Sequence, residues 1–426
     1  MPPPAAANGV AGAPGRIFLG WWMVAAAVLA QAFSIGGTTY SFPLFLKPIA
    51  EEFGASRSTI QLGNSGLAVA MALAGPFLGH ALDRRSIRAV LVFGALAMAA
   101  GYAALSASRE LALLGLCFAG VVGPGAAALG PISASKLVAN WFVRRRGFAL
   151  GISAIGTSVG GFVFPPLLSL AIARLGWRGA LLAMAAAVVA IALPFVALVV
   201  VGRPEQSGLA PDGDIPLPSA PAASGTHPGS ALAWRRLLVD RNFIAITLSI
   251  GSLFAILGGL ISNLHAWATD AQLSAASASL LISTLSGCAV FGKLSFGAIA
   301  DRWSKRGLVW IATAVLEVFL GVLIAKPGIA WLVAACALVG VALGGFLPLW
   351  GSLIGECWGR DAFGRVMGLM GPLMLPMNIA SFQLGPWFYD TRGSYDVALW
   401  IYAVWAAAAA AALALLRPPR TTVATA

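Results

Sequence analysis

The chain has 426 residues, 59% of them hydrophobic and only 10% charged, and carries 27 Lys and Arg against 15 Asp and Glu for a net charge of +12. Soluble globular domains carry about 25% charged residues, so a water-facing surface over the whole chain is excluded and a lipid bilayer takes its place. The basic excess does not mark a nucleic-acid binder, because the cations sit in short clusters between apolar runs, with no interleaved groove to read bases.

Residues 1–16, rich in Pro, Ala and Gly with a lone Arg16, read as a flexible tail. The apolar run behind them is too long for a signal-peptide core and many more follow it, so it is expected to be a retained first span. Each crossing needs about 20 apolar residues. On that measure six spans fall near 18–46, 57–80, 87–107, 111–138, 147–173 and 178–201. Residues 202–241, rich in Pro, Ser, Gly and Ala, read as a linker. Six more spans follow near 242–268, 276–300, 307–325, 329–355, 363–389 and 395–416, and 417–426 is a second tail. The expectation is an all-α membrane protein of twelve transmembrane helices, with an N-terminal bundle over 17–201 and a C-terminal bundle over 242–416.

Basic residues set the orientation. With both termini, the even-to-odd loops and the linker on one face, that face holds eighteen of them, the other face seven, and Lys136 and Lys293 lie within spans. The basic face is therefore expected to be cytoplasmic, with both termini on it, in the cell's inner (plasma) membrane.

The two bundles repeat each other. Gly79-His80-Ala81-Leu82-Asp83-Arg84-Arg85-Ser86 matches Gly297-Ala298-Ile299-Ala300-Asp301-Arg302-Trp303-Ser304 at an offset of 218, and each copy follows an apolar run. Gly147 and Gly151 open the fifth span as Gly364 and Gly368 open the eleventh. Small residues four apart let helix backbones approach closely in lipid. The fifth span adds Gly156, Gly160, Gly161 and Pro165-Pro166, and the eleventh Gly371, Pro372, Pro376 and Pro386, a density that suits helices that bend and slide, although membrane helices carry more Gly and Pro in general.

Two six-span halves, a linker and a G-x-x-x-D-R turn after the second and eighth spans resemble the major facilitator superfamily. Within it, Trp141-Phe142-Val143-Arg144-Arg145-Arg146-Gly147-Phe148-Ala149-Leu150-Gly151, followed by Ala154-Ile155-Gly156-Thr157-Ser158-Val159-Gly160, is similar to the fifth-helix signature of the monocarboxylate transporter family. The segments Tyr40–Ile49 and His265–Asp270 resemble its bacterial members and the oxalate/formate exchangers. The resemblance implies two pseudo-symmetric six-helix bundles that rock about a central site. It also implies a small organic anion as substrate and protons as possible co-substrates.

Lys293 is the leading candidate for that site. It stands eight residues before Asp301, about 12 Å along the helix at ~1.5 Å per residue, too deep to reach the interface with ease. Its functional reading is a carboxylate anchor; the alternative is a structural partner for a neighbouring carbonyl or hydroxyl. The family usually places an arginine there, with an Asp one turn earlier in many members; here that position is Ala289, which puts the usual proton coupling in question. The resemblance places His265 near the outer end of the cavity, where imidazole can take a proton or bind substrate; a helix-end cap is its alternative. Tyr40, Thr38 and Thr39 form a polar patch after Gly36-Gly37 whose hydroxyls either line the cavity or bond back to their own helix. Asn378, Gln383, Phe346 and Trp350 are candidates in the second half, the aromatics being packing residues otherwise.

Glu317, a carboxylate in mid-span, tempts as a proton carrier. Its ninth helix sits outside in this superfamily, which favours structural support instead. Lys136 either adds positive potential to the cavity or snorkels. Gly79, Asp83, Arg84, Arg145, Gly297, Asp301 and Arg302 are expected to gate: the carboxylates sit at helix N-termini, and neighbouring arginines pair across the two halves.

Nothing points to an enzyme, a metal or a cofactor. Cys117, Cys288, Cys336 and Cys357 are scattered, with no C-x-x-C and no His cluster. H-E-x-x-H, a nucleophile elbow and the phosphate-cradling G-x-x-x-x-G-K-[ST] are all missing, the last also arguing against ATP-driven pumping. The reading is a secondary transporter of monocarboxylates with proton coupling. Anion exchange of the oxalate/formate type and efflux of lipophilic compounds are the alternatives; a channel would need a selectivity segment and no turns of this kind.

Overall fold

Backbone N–H and C=O groups in lipid must find partners within the chain, so apolar runs of this length fold as helices. The computed structural model describes residues 18–55, 57–213 and 234–416; both expected tails and part of the linker lie outside these. Ten of its helices are long and apolar enough to cross a membrane.

In the first half these are α1 Leu19–Tyr40, α2 Leu62–Arg84, α3 Ile87–Ala107, α4 Leu111–Trp141 and the 54-residue stretch Arg146–Val199. That last stretch is two arms. Gly176 has φ 71° and ψ 170°, a backbone that only glycine adopts readily, and it divides α5 (146–175) from α6 (177–199). The second half contains α7 Arg241–Asp270, α8 Ala275–Ala300, α9 Lys305–Ala325, α10 Ile329–Trp358, α11 Phe363–Arg392 and α12 Asp396–Leu413. Three prolines and four glycines lower the hydropathy of α11, but it runs 30 residues alongside the others. The chain is thus two sets of six.

Local chemistry sets the boundaries. The repeated turns end in Ser86 and Ser304 at the N-caps of α3 and α9, and the Ser304 hydroxyl accepts from the Gly307 N–H, as N-cap side chains do. The first span ends earlier than the sequence implied. Its Ala32–Tyr40 stretch is π-helical, and a separate helix, Phe42–Phe53, starts beyond it. Glycines 36 and 37 and Pro43 loosen the α-helical ladder there, and Tyr102 donates to the Gly37 carbonyl at 2.9 Å. The first part of the linker does not hang free: residues 203–213 form two short turns, and Asp212 accepts from the N–H groups of Val143 (3.0 Å) and Arg144 (2.9 Å) at the entry to α5.

Each half buries its own apolar core, one led by Trp141, Tyr102 and Phe142, the other by Phe243, Phe319 and Phe346. The halves meet along two helix pairs, α2 with α11 and α5 with α8. These pairs are equivalent under the sequence repeat, and the seam between the halves runs along them.

Candidate functional site

Close approach of backbones defines the seam. A Cβ on Gly75 would lie 2.6 Å from the Gly368 carbonyl oxygen, and one on Gly297 would lie 2.6 Å from that of Gly147. Gly79 and Gly364, and Gly151 and the Lys293 backbone, meet as tightly. All of these positions fall in the ends of the helices nearest the basic face, so the halves are closed there.

The repeated carboxylates lock this closure. Asp83 on α2 accepts from the Gly364 N–H (3.1 Å) and the Arg365 N–H (2.9 Å), capping α11 of the other half. Asp301, following α8, accepts from the Gly147 N–H (2.6 Å) and the Phe148 N–H (3.0 Å), capping α5 in return. Free N–H groups and the helix dipole favour a negative charge at both places.

The two caps differ in their cations. Asp83 pairs with Lys136 at 2.8 Å and with the Arg365 guanidinium at 3.1 Å, and all three side chains are buried. The Lys136 ammonium also donates to the Arg360 carbonyl across the seam. Among the described residues, Asp301 has no such ion pair. Burial pushes its carboxyl above the usual range, opposed by the N–H groups of Phe148 and Gly147. Lys136 therefore belongs to the closure and not to a cavity. Arg84 and Arg302 are exposed, and Arg145 too; Arg365 supplies a guanidinium to Asp83 of the other half.

Lys293 sits about two turns above the Asp301 closure, where the N-terminal copy of the repeat has Gly75. Only 9% of it is exposed. Its ammonium spans the seam, donating to Thr157 Oγ1 at 2.8 Å and Ser158 Oγ at 2.5 Å on α5. Thr157 passes its own hydrogen to the Ala154 carbonyl. No carboxylate among the described residues pairs with Lys293, and an ammonium has three donors, so one remains for a ligand.

The other candidates spread out. Tyr40 is 49% exposed, and its ring packs where a Cβ on Gly161 would sit, against α5. Thr38 is wholly buried and donates to the Ser34 carbonyl of its own helix, the second of its two readings. Phe346 is fully buried, its ring 5.9 Å from that of Phe254. Asn378 donates to the Met374 carbonyl, and Gln383 is exposed. Glu317 lies on α9, which packs on α10 and α12 away from the seam; its Oε1 is buried without a partner. His265 lies on α7, and its side chain is outside the described residues.

Thr157, Ser158, Arg365 and the gating role of Lys136 were not singled out from sequence. Thr157 and Ser158 stood only inside a signature; their spacing of about two turns above the Gly147–Gly151 contact was the available signal.

The family profile described as Major Facilitator Superfamily matches residues 27–374 and 257–426. An uncharacterized MFS-type transporter, YcxA, of Bacillus subtilis (strain 168) is 21% identical over 85% of this chain and 87% of its own length. Monocarboxylate transporter 11 of Homo sapiens is 28% identical over 86% of this chain and 76% of its own. Among solved structures, the proton:xylose symporter XylE, bound to 6-bromo-6-deoxy-D-glucose, superposes with a TM-score of 0.73 at 14% identity, covering 92% of this chain and 94% of its own. The human organic anion transporter MFSD10 (TETRAN) does so with a TM-score of 0.65 at 17% identity, covering 93% and 99%.

Proposed function

Because the chain belongs to the major facilitator superfamily, a family of transporters and not of enzymes, we propose that it moves small organic anions, monocarboxylates first, by alternating access with proton coupling. The observation that carries this reading is the Lys293 ammonium: buried, on the seam, held by two hydroxyls of the opposite half and unpaired by any carboxylate among the described residues. Burying a cation without a counter-charge is costly, and an anionic substrate relieves that cost on arrival. Lysine offers a point charge, not a bidentate fork, which suits a range of short acids. The relatives named as a monocarboxylate transporter and an organic anion transporter support the same class.

In this reading residues 17–201 rock against 242–416, and the basic face is cytoplasmic in the plasma membrane. The Asp83 and Asp301 caps, with Gly79, Gly297, Arg84, Arg145 and Arg302 around them, form the inner gate. Substrate reaching Lys293 draws its ammonium from Thr157 and Ser158, which weakens the seam just above the Asp301 cap. An anion alone would move against an inside-negative potential at ~2.3 kcal/mol per 100 mV, and a co-transported proton removes that cost. Exchange of one anion for another removes it equally without a titrating residue, and Ala289 at the position of the family's Asp favours that second reading.

The test is uptake of labelled lactate, pyruvate, oxalate and a longer acid into proteoliposomes, with and without a pH gradient, for wild type and Lys293→Ala. Loss of uptake in the variant is expected; retained transport of every acid overturns the assignment. A proton ionophore that abolishes net uptake but leaves counterflow intact marks symport, and no effect on either marks exchange.

A further inference from the structure

A cleft of about 760 Å³ opens at the basic face beside the α5–α8 contact. Arg144 and Arg145 of the first half and Arg302 of the second stand around it, and Phe148, Phe296, Leu308 and Ile311 form its apolar wall. Its one carboxylate, Asp301, already accepts two backbone N–H groups. No carboxylate among the described residues pairs with Arg145 or Arg302. The equivalent end of the α2–α11 seam is different: there Arg203 pairs with Asp361 at 3.1 Å and Arg360 with Glu205 at 2.5 Å. Those two arginines have carboxylate partners, whereas Arg145 of the first half and Arg302 of the second face an open cleft.

The cleft's apolar side opens towards the bilayer, with Trp303 64% and Ile311 46% exposed on the bare chain next to those cations. A soluble anion would answer the guanidinium groups alone. A phospholipid answers both, because its phosphate accepts from guanidinium groups while its acyl chain covers apolar surface. We infer that this cleft binds an anionic phospholipid, its headgroup bridging Arg145 and Arg302 and its chain lying over Phe296 and Ile311. Bound there, the lipid ties the halves together at the basic face and favours the closed arrangement. Basic pockets between membrane helices have the charge to hold such headgroups. This inference stands independently of the acid that Lys293 binds.

The test uses the purified full chain in nanodiscs of phosphatidylcholine alone or mixed with phosphatidylglycerol. Phosphatidylglycerol is expected to raise the thermal midpoint and to slow amide exchange at residues 147–151. The Arg145→Gln/Arg302→Gln variant loses more than half of that rise, and Arg145→Lys/Arg302→Lys keeps most of it. Each single Gln variant is read in the same way, which covers a double variant that does not fold. An unchanged rise in the Gln variants, or no effect of phosphatidylglycerol on exchange at 147–151, overturns the inference. So does inorganic phosphate or glycerol 3-phosphate that reproduces the whole rise in phosphatidylcholine, which would make the cleft a soluble-anion site.

Discussion

The ammonium of Lys293 lies 2.8 Å from the hydroxyl of Thr157, and the two belong to opposite halves of the molecule. In the proposed reading, a single side chain therefore reports both closure of the seam and arrival of substrate. Charge-assisted hydrogen bonds contribute about 1.5–3 kcal/mol, roughly a ten- to hundredfold effect on binding. Lys293→Ala is expected to weaken carboxylate binding by about that factor, measured as the apparent affinity for uptake in proteoliposomes. Lys293→Arg, which keeps the charge, recovers part of it.

Removing the acceptors tests the seam from the other side. The Thr157→Val/Ser158→Ala variant leaves the ammonium unsatisfied in the closed arrangement, at a cost of roughly 1–3 kcal/mol per lost partner. The closed population falls, and cysteine-reactive reagents added from the basic face reach a probe placed at position 154 faster than in wild type. An unchanged rate shows that these bonds do not hold the seam.

Glycines at the seam are a matter of space. A methyl at Gly75 or Gly297 meets a carbonyl oxygen at 2.6 Å, and overpacking of this kind costs about 1–3 kcal/mol. Gly75→Ala and Gly297→Ala are expected to slow transport severalfold while the protein still reaches the membrane. Gly115→Ala and Gly321→Ala, where nothing lies within 4 Å, serve as controls and transport normally.

Asp83 and Lys136 form a buried ion pair at 2.8 Å, and breaking such a pair costs about 3–5 kcal/mol because one charge is left stranded. Asp83→Ala is expected to destabilise strongly, while Asp83→Asn/Lys136→Met restores most of the lost thermal stability. Asp301→Ala strands no lysine and costs less. Thermal midpoints of the purified variants in one detergent decide the order.

On the opposite face, Glu52 accepts from Arg178 and from the Trp177 N–H at 2.7 Å. Arg178 and Trp177 hold its carboxyl below its ordinary value of 4.5. A depressed folded-state value gives stability that is fully present above pH 4.5 and fades as pH falls through the lower value. The stability difference between wild type and Glu52→Gln should therefore be flat at neutral pH and shrink on acidification. A difference that grows in acid contradicts the clasp.

Sequence alone determined the parts of this protein that are one-dimensional. Span length, the charge of loops and the offset of 218 between the Asp83 and Asp301 turns are fixed by counting, and they gave two six-helix halves and the family. The Gly147, Gly151, Gly364 and Gly368 positions were legible because small residues four apart let helix backbones approach closely. Which side chains meet was decided by tertiary packing. Lys293 and Thr157 are 136 positions apart, and Asp83 and Arg365 are 282 apart, distances over which no local pattern acts. Rotation about a helix was equally hidden: α10 is apolar on every side, so no periodicity told that Phe346 packs against Phe254. Lipid and protein interior are alike to an apolar side chain, and only the assembled bundle distinguishes them.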